Sequence, residues 1–423
     1  STFICGIQQN GGTVTVKGNT TEIRNFAHAV EVKGGTFTME GGSICNNYIN
    51  GGSAGVTIEG GGTFKLTGGS IKDNEATNRA GVSVEGSGSA NQGQFTMTGG
   101  EISGNKAKCL GGGIYVGEHG QADISGGTIK ANHAAQITYQ SPVEDVGGGG
   151  ICIVKGTVNF TGGTIKGNII HEVEKNCGAG VLIGEQGTFN MSGGTIKDCT
   201  TQSSAFRPSR GVGVYVSGGT SATKGTFNMT GGTIENCKPL AGHTGAGGGV
   251  YVDNGTFTMK GASCVTPSTD NAKGNNDVYL DDKMITVDGV LSPAGGIAAR
   301  ITVSDTKYNT STQVLTGSTV NTEHTKFTVT PKTVSGTTEE WGIDSNGKLK
   351  KAKTIDGGDS DAWEELKTAV QSAANGDVIT IKGTVKATNA LGNSGEIVIN
   401  GKNITIKGAE GAGTAELNAN SNY

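Results

Sequence analysis

The sequence predicts an all-β chain wound as a parallel solenoid, three strands to a turn, with a short capping helix and a small β-rich segment. Three observations carry this. A thirteen-residue phrase recurs along the chain, its apolar residues alternate with period two, and glycine fills 76 of 423 positions against 6 prolines. The phrase reads GTFTMEGGSICNN at 35–47, GTFKLTGGSIKDN at 62–74, GQFTMTGGEISGN at 93–105 and GQADISGGTIKAN at 120–132. It continues as GTVNFTGGTIKGN at 156–168, GTFNMSGGTIKDC at 187–199 and GTFNMTGGTIENC at 225–237, with a degraded copy, GTFTMKGASC, from 255. A second phrase stands between copies: AGVTIEG at 54–60, AGVSVEG at 80–86, GGGIYVG at 111–117, GGGICIV at 148–154, AGVLIGE at 179–185, GVGVYVS at 211–217 and GGGVYVD at 247–253. Each interval of 27 to 38 residues thus holds three extended segments with glycine pairs at the bends, which describes one turn of a parallel β-solenoid. Collagen needs glycine at every third position, and a flexible linker would carry no apolar columns.

Stacked turns place equivalent residues in ladders. The third phrase position carries Phe37, Phe64, Phe95, Ala122, Val158, Phe189, Phe227 and Phe257; the fifth runs from Met39 through Leu66 and Met97 to Met259. The tenth carries Ile44, Ile71, Ile102, Ile129, Ile165, Ile196 and Ile234, and there Cys264 is expected to continue the column. These are the expected interior. Asparagine closes five copies (Asn47, Asn74, Asn105, Asn132, Asn168), where a tight bend and an amide ladder explain it. Variable stretches such as 133–147 and 200–210 fall between phrases, as surface loops do.

The repeats occupy 1–290. A β-rich closing segment is expected over 291–352, with two short strands around a turn at Asn346-Gly347. Residues 353–376 read as a linker and capping helix, its apolar face built on Trp363, Leu366 and Val370. Residues 377–423 resume strands and read as the opening turns of a β-helix. A cap followed by opening turns belongs before the repeats, because a cap covers an open sheet edge. In this chain it comes after them. The order 361–423 then 1–290 makes one ordinary solenoid, so the opening turns are expected to continue into residue 1 of the next copy. Ser1, Thr2, Phe3 and Ile4 would meet Leu417, Asn420 and Tyr423 in that head-to-tail junction, which extends as a filament unless rotation closes a ring. A single period of a longer tandem array fits as well, and an arbitrary cut is the remaining alternative.

The phrase GTFTMxGGTIxxN with intervening GGGxYV is similar to repeat-rich surface proteins of treponemes and other anaerobic bacteria. It also resembles the GGA[IV] and FxxN repeats of chlamydial polymorphic membrane proteins. The tail WEELKTAVQSAANGDVITIKGT resembles the capped opening of such β-helices. The resemblance implies a right-handed parallel β-helix displayed at the cell surface or outside the cell, as an adhesin or surface-layer component. It implies no particular ligand.

Catalysis is not expected. Polysaccharide lyases and hydrolases on this fold need carboxylates converging on one groove. The nearest pattern here is Glu59, Glu85, Glu118, Lys155, Glu185 and Asp253, one per turn, mixed in sign and interrupted by Ser217. The six histidines show no metal-ligand spacing, and DVYLDD at 277–282 lacks the spaced oxygens of a calcium loop, so no metal or cofactor is expected. A formal charge of −4 gives no footprint for nucleic acid, and no apolar run is long enough to span a bilayer. Cys199 and Cys237 share a position on successive turns, about 5 Å apart and within bridging range, although in-register stacking sets unfavourable side-chain directions. An outward column in the second phrase carries Tyr115, Tyr215 and Tyr251, for which neighbour packing along the strands is the preferred explanation and a surface-binding stripe for glycan or a neighbouring fibre the alternative. The expected function is a structural building block of an extracellular bacterial fibre, whose partners are copies of itself. A glycan- or host-binding adhesin, or a polysaccharide-cleaving enzyme, stay as alternatives.

Overall fold

Alternating Thr-Phe-Thr-Met and Val-Tyr-Val segments fold as strands with one buried face, and the glycine pairs turn the chain between them. The computed structural model describes residues 5–135, 147–171, 178–202, 209–218, 223–240, 245–270, 272–334, 337–374, 377–388, 394–408 and 414–418. These form two units, 1–302 and 303–423.

The first unit is a parallel β-solenoid. Its longest sheet takes two consecutive strands from each turn. Val56–Ile58, Val82–Val84, Ile114–Val116 and Ile151–Ile153 stack in register from the second phrase. Thr63–Leu66, Gly93–Met97, Gly120–Ile124 and Thr157–Phe160 stack from the first. A second sheet stacks the isoleucine strands, from Glu22–Arg24 to Cys264–Val265. A third, absent from the sequence reading, is made of the two or three residues after each asparagine and after Cys199, from Tyr48–Ile49 to Thr200–Gln202. The expected ladders are present. Phe37, Phe64, Phe95, Phe189, Phe227 and Phe257 are fully buried, and Phe227 stacks on Phe257 with centroids 4.8 Å apart. Each such side chain contributes about 1.5–3 kcal/mol of burial before entropy is subtracted.

The asparagines form a buried ladder. Asn47 Nδ2 donates to Asn74 Oδ1 at 2.8 Å, Asn74 to Asn105 and Asn105 to Asn132 at 2.9 Å, and Asn132 to Asn168 at 3.1 Å. Each Oδ1 also accepts the backbone N–H of the preceding rung, and each Nδ2 reaches an isoleucine carbonyl, such as Ile71 O for Asn105. Across the interior, Gly81, Gly113 and Gly150 face Asn105, Asn132 and Asn168, and Gly180 and Gly213 face Cys199 and Cys237. A Cβ at any of them would collide with the backbone oxygen of the glycine one turn on.

One column position needs correction. Cys264 pairs with Thr233, and Val265 continues the isoleucine column opposite Ile234. The chain carries one extra residue between Met259 and Val265 relative to Met229 and Ile234, which shifts the following segment by one. Ladder geometry also resumes beyond the seventh phrase, where Asn276 accepts from the Cys237 N–H and donates to Ile234 O. The solenoid sheet runs past residue 290, through Ile285–Leu291 to Ala299–Val303. Arg300, 1% exposed, donates to the carbonyls of Ser268, Ala272 and Asn275 and fixes that insertion from inside.

The second unit holds an antiparallel pair, Trp341–Ile343 with Leu349–Lys351, around the expected turn, where Gly347 takes φ +81°. The segment read as a linker begins with a strand, Lys353–Asp356, parallel to Val378–Lys382, which in turn pairs with Thr405–Gly408. Thr384–Lys386 pairs with Glu416–Asn418. The helix Ala362–Ser372 buries Leu366 and Val370 against Ile355, Ile379, Ile381 and Val385. Trp363 packs at the margin and its Nε1 donates to Gly395 O at 2.8 Å. Lys402 Nζ donates to the carbonyls of Val370, Gln371 and Ala373, a cationic cap at the negative end of the helix. Among the described residues no helix is long and apolar enough to cross a membrane.

Candidate functional site

The three candidate surface tyrosines do leave the interior, yet they are not a surface. Tyr115, Tyr215 and Tyr251 are 6%, 1% and 3% exposed and form an apolar cluster with Cys152 and Leu182. This corrects the candidate surface stripe. The chain folds back over it at Gly111, Gly211 and Gly247, each four residues before its tyrosine and each with φ between 55° and 63°. A side chain at Gly111 or Gly211 would strike the tyrosine Cβ. Tyr251 stacks between Tyr215 and Tyr279, at 5.6 and 4.9 Å. Tyr215 donates to Asp253 Oδ2 at 2.6 Å and Tyr251 to Asp281 Oδ2 at 3.1 Å, so each hydroxyl is tied to the following turn. The Arg79 guanidinium lies 3.8 Å over the Tyr115 ring, and burial pushes that phenol up to about 12. The stack is a second, outer core.

The carboxylate column does not converge either. Glu85 pairs with Arg79, Glu118 with Lys155 at 3.8 Å, Glu185 accepts from Thr223, and Asp253 belongs to Tyr215. Asp277 is buried and accepts from the Gly248 and Gly274 N–H groups and from Thr302 Oγ1. Among the described residues no three His, Cys, Asp or Glu side chains are grouped to hold a metal. His133 and His171 stack, Nδ1 to Nε2, at 2.9 Å across neighbouring turns, a contact that sequence spacing does not reveal. Cys199 and Cys237 are free thiols stacked in the asparagine ladder; Cys177 lies outside the described residues.

What distinguishes two places from the rest is an unfinished interior. Cys5–Val16 pairs on one side with His28–Met39 and, among the described residues, has no strand on the other. Its inward residues Ile7, Val14 and Val16 are half-buried, whereas their partners Val30 and Phe37 are 0% exposed and Met39 1%. The strands Thr405–Gly408 and Glu416–Asn418 are also edges among the described residues, with Ile404 and Ile406 half-buried and Leu417 47% exposed. Of the expected junction residues, Leu417 is therefore at an open edge; Ser1, Thr2, Phe3, Ile4, Asn420 and Tyr423 lie outside the described residues. Comparison with known proteins adds no relative: no family model, curated protein or solved structure matches this chain.

Proposed function

We propose that this chain is a structural building block of an extracellular bacterial fibre, assembled head to tail through stacked solenoid turns. The observation that carries the reading is the pair of edges, 5–16 and 405–418, that have no strand on their outer side among the described residues and leave inward side chains half-buried or exposed. Cys5–Val16 is twelve residues long and contains no charged residue and no proline, the devices that normally protect a free edge. An edge left in this state is a template for another strand. The surface setting rests on the resemblance to displayed β-helix repeats. Sedimentation velocity and negative-stain microscopy test it. The protein is expected to form concentration-dependent, high-mass linear particles. Leu417→Asp, at an exposed position, is expected to stay monomeric with an unchanged circular dichroism spectrum. A protein that sediments as a monomer at every concentration ends the proposal.

A further inference from the structure

The two open edges share a plan. In the second unit, inward Ile379 and Ile381 pair with Ile406 and Gly408, and after a bend Val385 and Lys386 pair with Leu417 and Asn418. In the first unit, Ile7 and Gln9 pair with inward Val30 and Val32, and after a bend Val14 and Thr15 pair with Phe37 and Thr38. Both edges thus present two inward residues two apart, a corner, and then another inward residue. A one-residue slip would turn every interior side chain outward, so only even shifts compete.

Gln9 decides between them. It occupies an interior column, 4% exposed, with Nε2 donating to the carbonyls of Gly12 and Thr36 at 3.0 and 3.1 Å. Its Oε1 is buried with no hydrogen-bond partner among the described residues. A shift that carries Ile406 from Ile7 to Gln9 would seal this oxygen under its side chain and set Asn418 beside Lys17. The unshifted alignment sets Gly408 over it, a residue whose bare backbone allows close approach and leaves the oxygen open to an incoming N–H.

Resting on the end-to-end reading above, we propose that the fibre junction forms in one register. Ile406 of one copy lies against Ile7 of the next, Gly408 against Gln9, Leu417 against Val14 and Asn418 against Thr15. The partner surface of residues 5–16 is therefore the 405–418 edge of a second copy of this chain.

Mixed cross-linking tests the register. In a Cys5→Ser background, Asn418→Cys protein is combined with either Thr15→Cys or Lys17→Cys protein and oxidised to form disulfides. In-register neighbours stand about 4.8 Å apart, whereas a two-residue offset sets them beyond about 7 Å, outside disulfide range. The expected result is disulfide-linked dimer with Thr15→Cys, and loss of that dimer with Lys17→Cys or when either protein is treated alone. Filaments that link through Lys17→Cys overturn the register and leave the fibre standing. Protein without high-mass species, in wild type and variants alike, overturns the fibre and the register with it.

Discussion

Asn105 illustrates how much one interior side chain holds. It accepts from Asn74 twice, through Nδ2 and the backbone N–H, and donates to Ile71 O and Asn132. Asn105→Ala strands buried donors and an acceptor where water has no room, and each orphaned group costs about 1–3 kcal/mol. Chemical denaturation should show a loss of at least about 3 kcal/mol, against a change within about 0.5 kcal/mol for the outward Thr96→Ala. At His133, burial first, then His171 and Lys106, hold the imidazole below its ordinary value. A depressed base stabilises the fold above its unfolded pKa of about 6.5, and that contribution is lost as the pH falls towards the folded value. Melting temperature should therefore drop on acidification below about pH 6.5 more steeply for the wild type than for His133→Gln. Parallel curves for the two proteins would show that the stacked pair has no part in acid sensitivity.

Among elements, the ladder shows where sequence reading succeeds and where it stops. The phenylalanine and isoleucine columns are legible because an in-register stack repeats the same residue type at the same offset. Val265 was hidden by one extra residue after Met259, for which Lys260-Gly261 gives no signal distinct from an ordinary bend. Asn276 was hidden by the insertion that separates it from its isoleucine strand. The buried place of the tyrosines is not legible from alternation, because Gly111, Gly211 and Gly247, each four positions before its tyrosine, fold the chain back over it. The break at Cys199 and Cys237 is informative in the same terms. Burial first, and then neighbouring Cys199, push the Cys237 thiol up, so that thiol stays protonated. The thiols hold the space of two rungs: Cys237 Sγ bonds to Glu235 O, as Asn47 Nδ2 bonds to Cys45 O. They supply no amide oxygen for Asn168. Cys199→Asn combined with Cys237→Asn should join the ladder from Asn47 to Asn276 and raise the unfolding free energy by about 1 kcal/mol. A doubly substituted protein less stable than the wild type would mean that sulfur packing outweighs the amide bonds there.

At the scale of the whole molecule, the solenoid is a one-dimensional stack in which each turn touches mainly its neighbours, so its integrity depends on phase rather than on length. Excision provides a direct measure. Residues 93–119 make one full period, and their removal brings Gly120, Gln121 and Ala122 to the positions of Gly93, Gln94 and Phe95, to which they are already matched. Val82–Val84 would then stack on Ile151–Ile153 in place of Ile114–Val116. Asn74 would meet Asn132, keeping the amide ladder continuous. That chain should unfold cooperatively, with the same circular dichroism per residue and a solenoid shorter by about 4.8 Å. Excising only 93–106 leaves half a turn, sets Cys109 and Gly111 where Phe95 and Met97 belong, and turns Leu110 outward at the place of Thr96. That protein should lose cooperative unfolding altogether. If both excisions were tolerated equally, stacking phase would not be what holds the molecule together, and the junction between copies would lose the same basis.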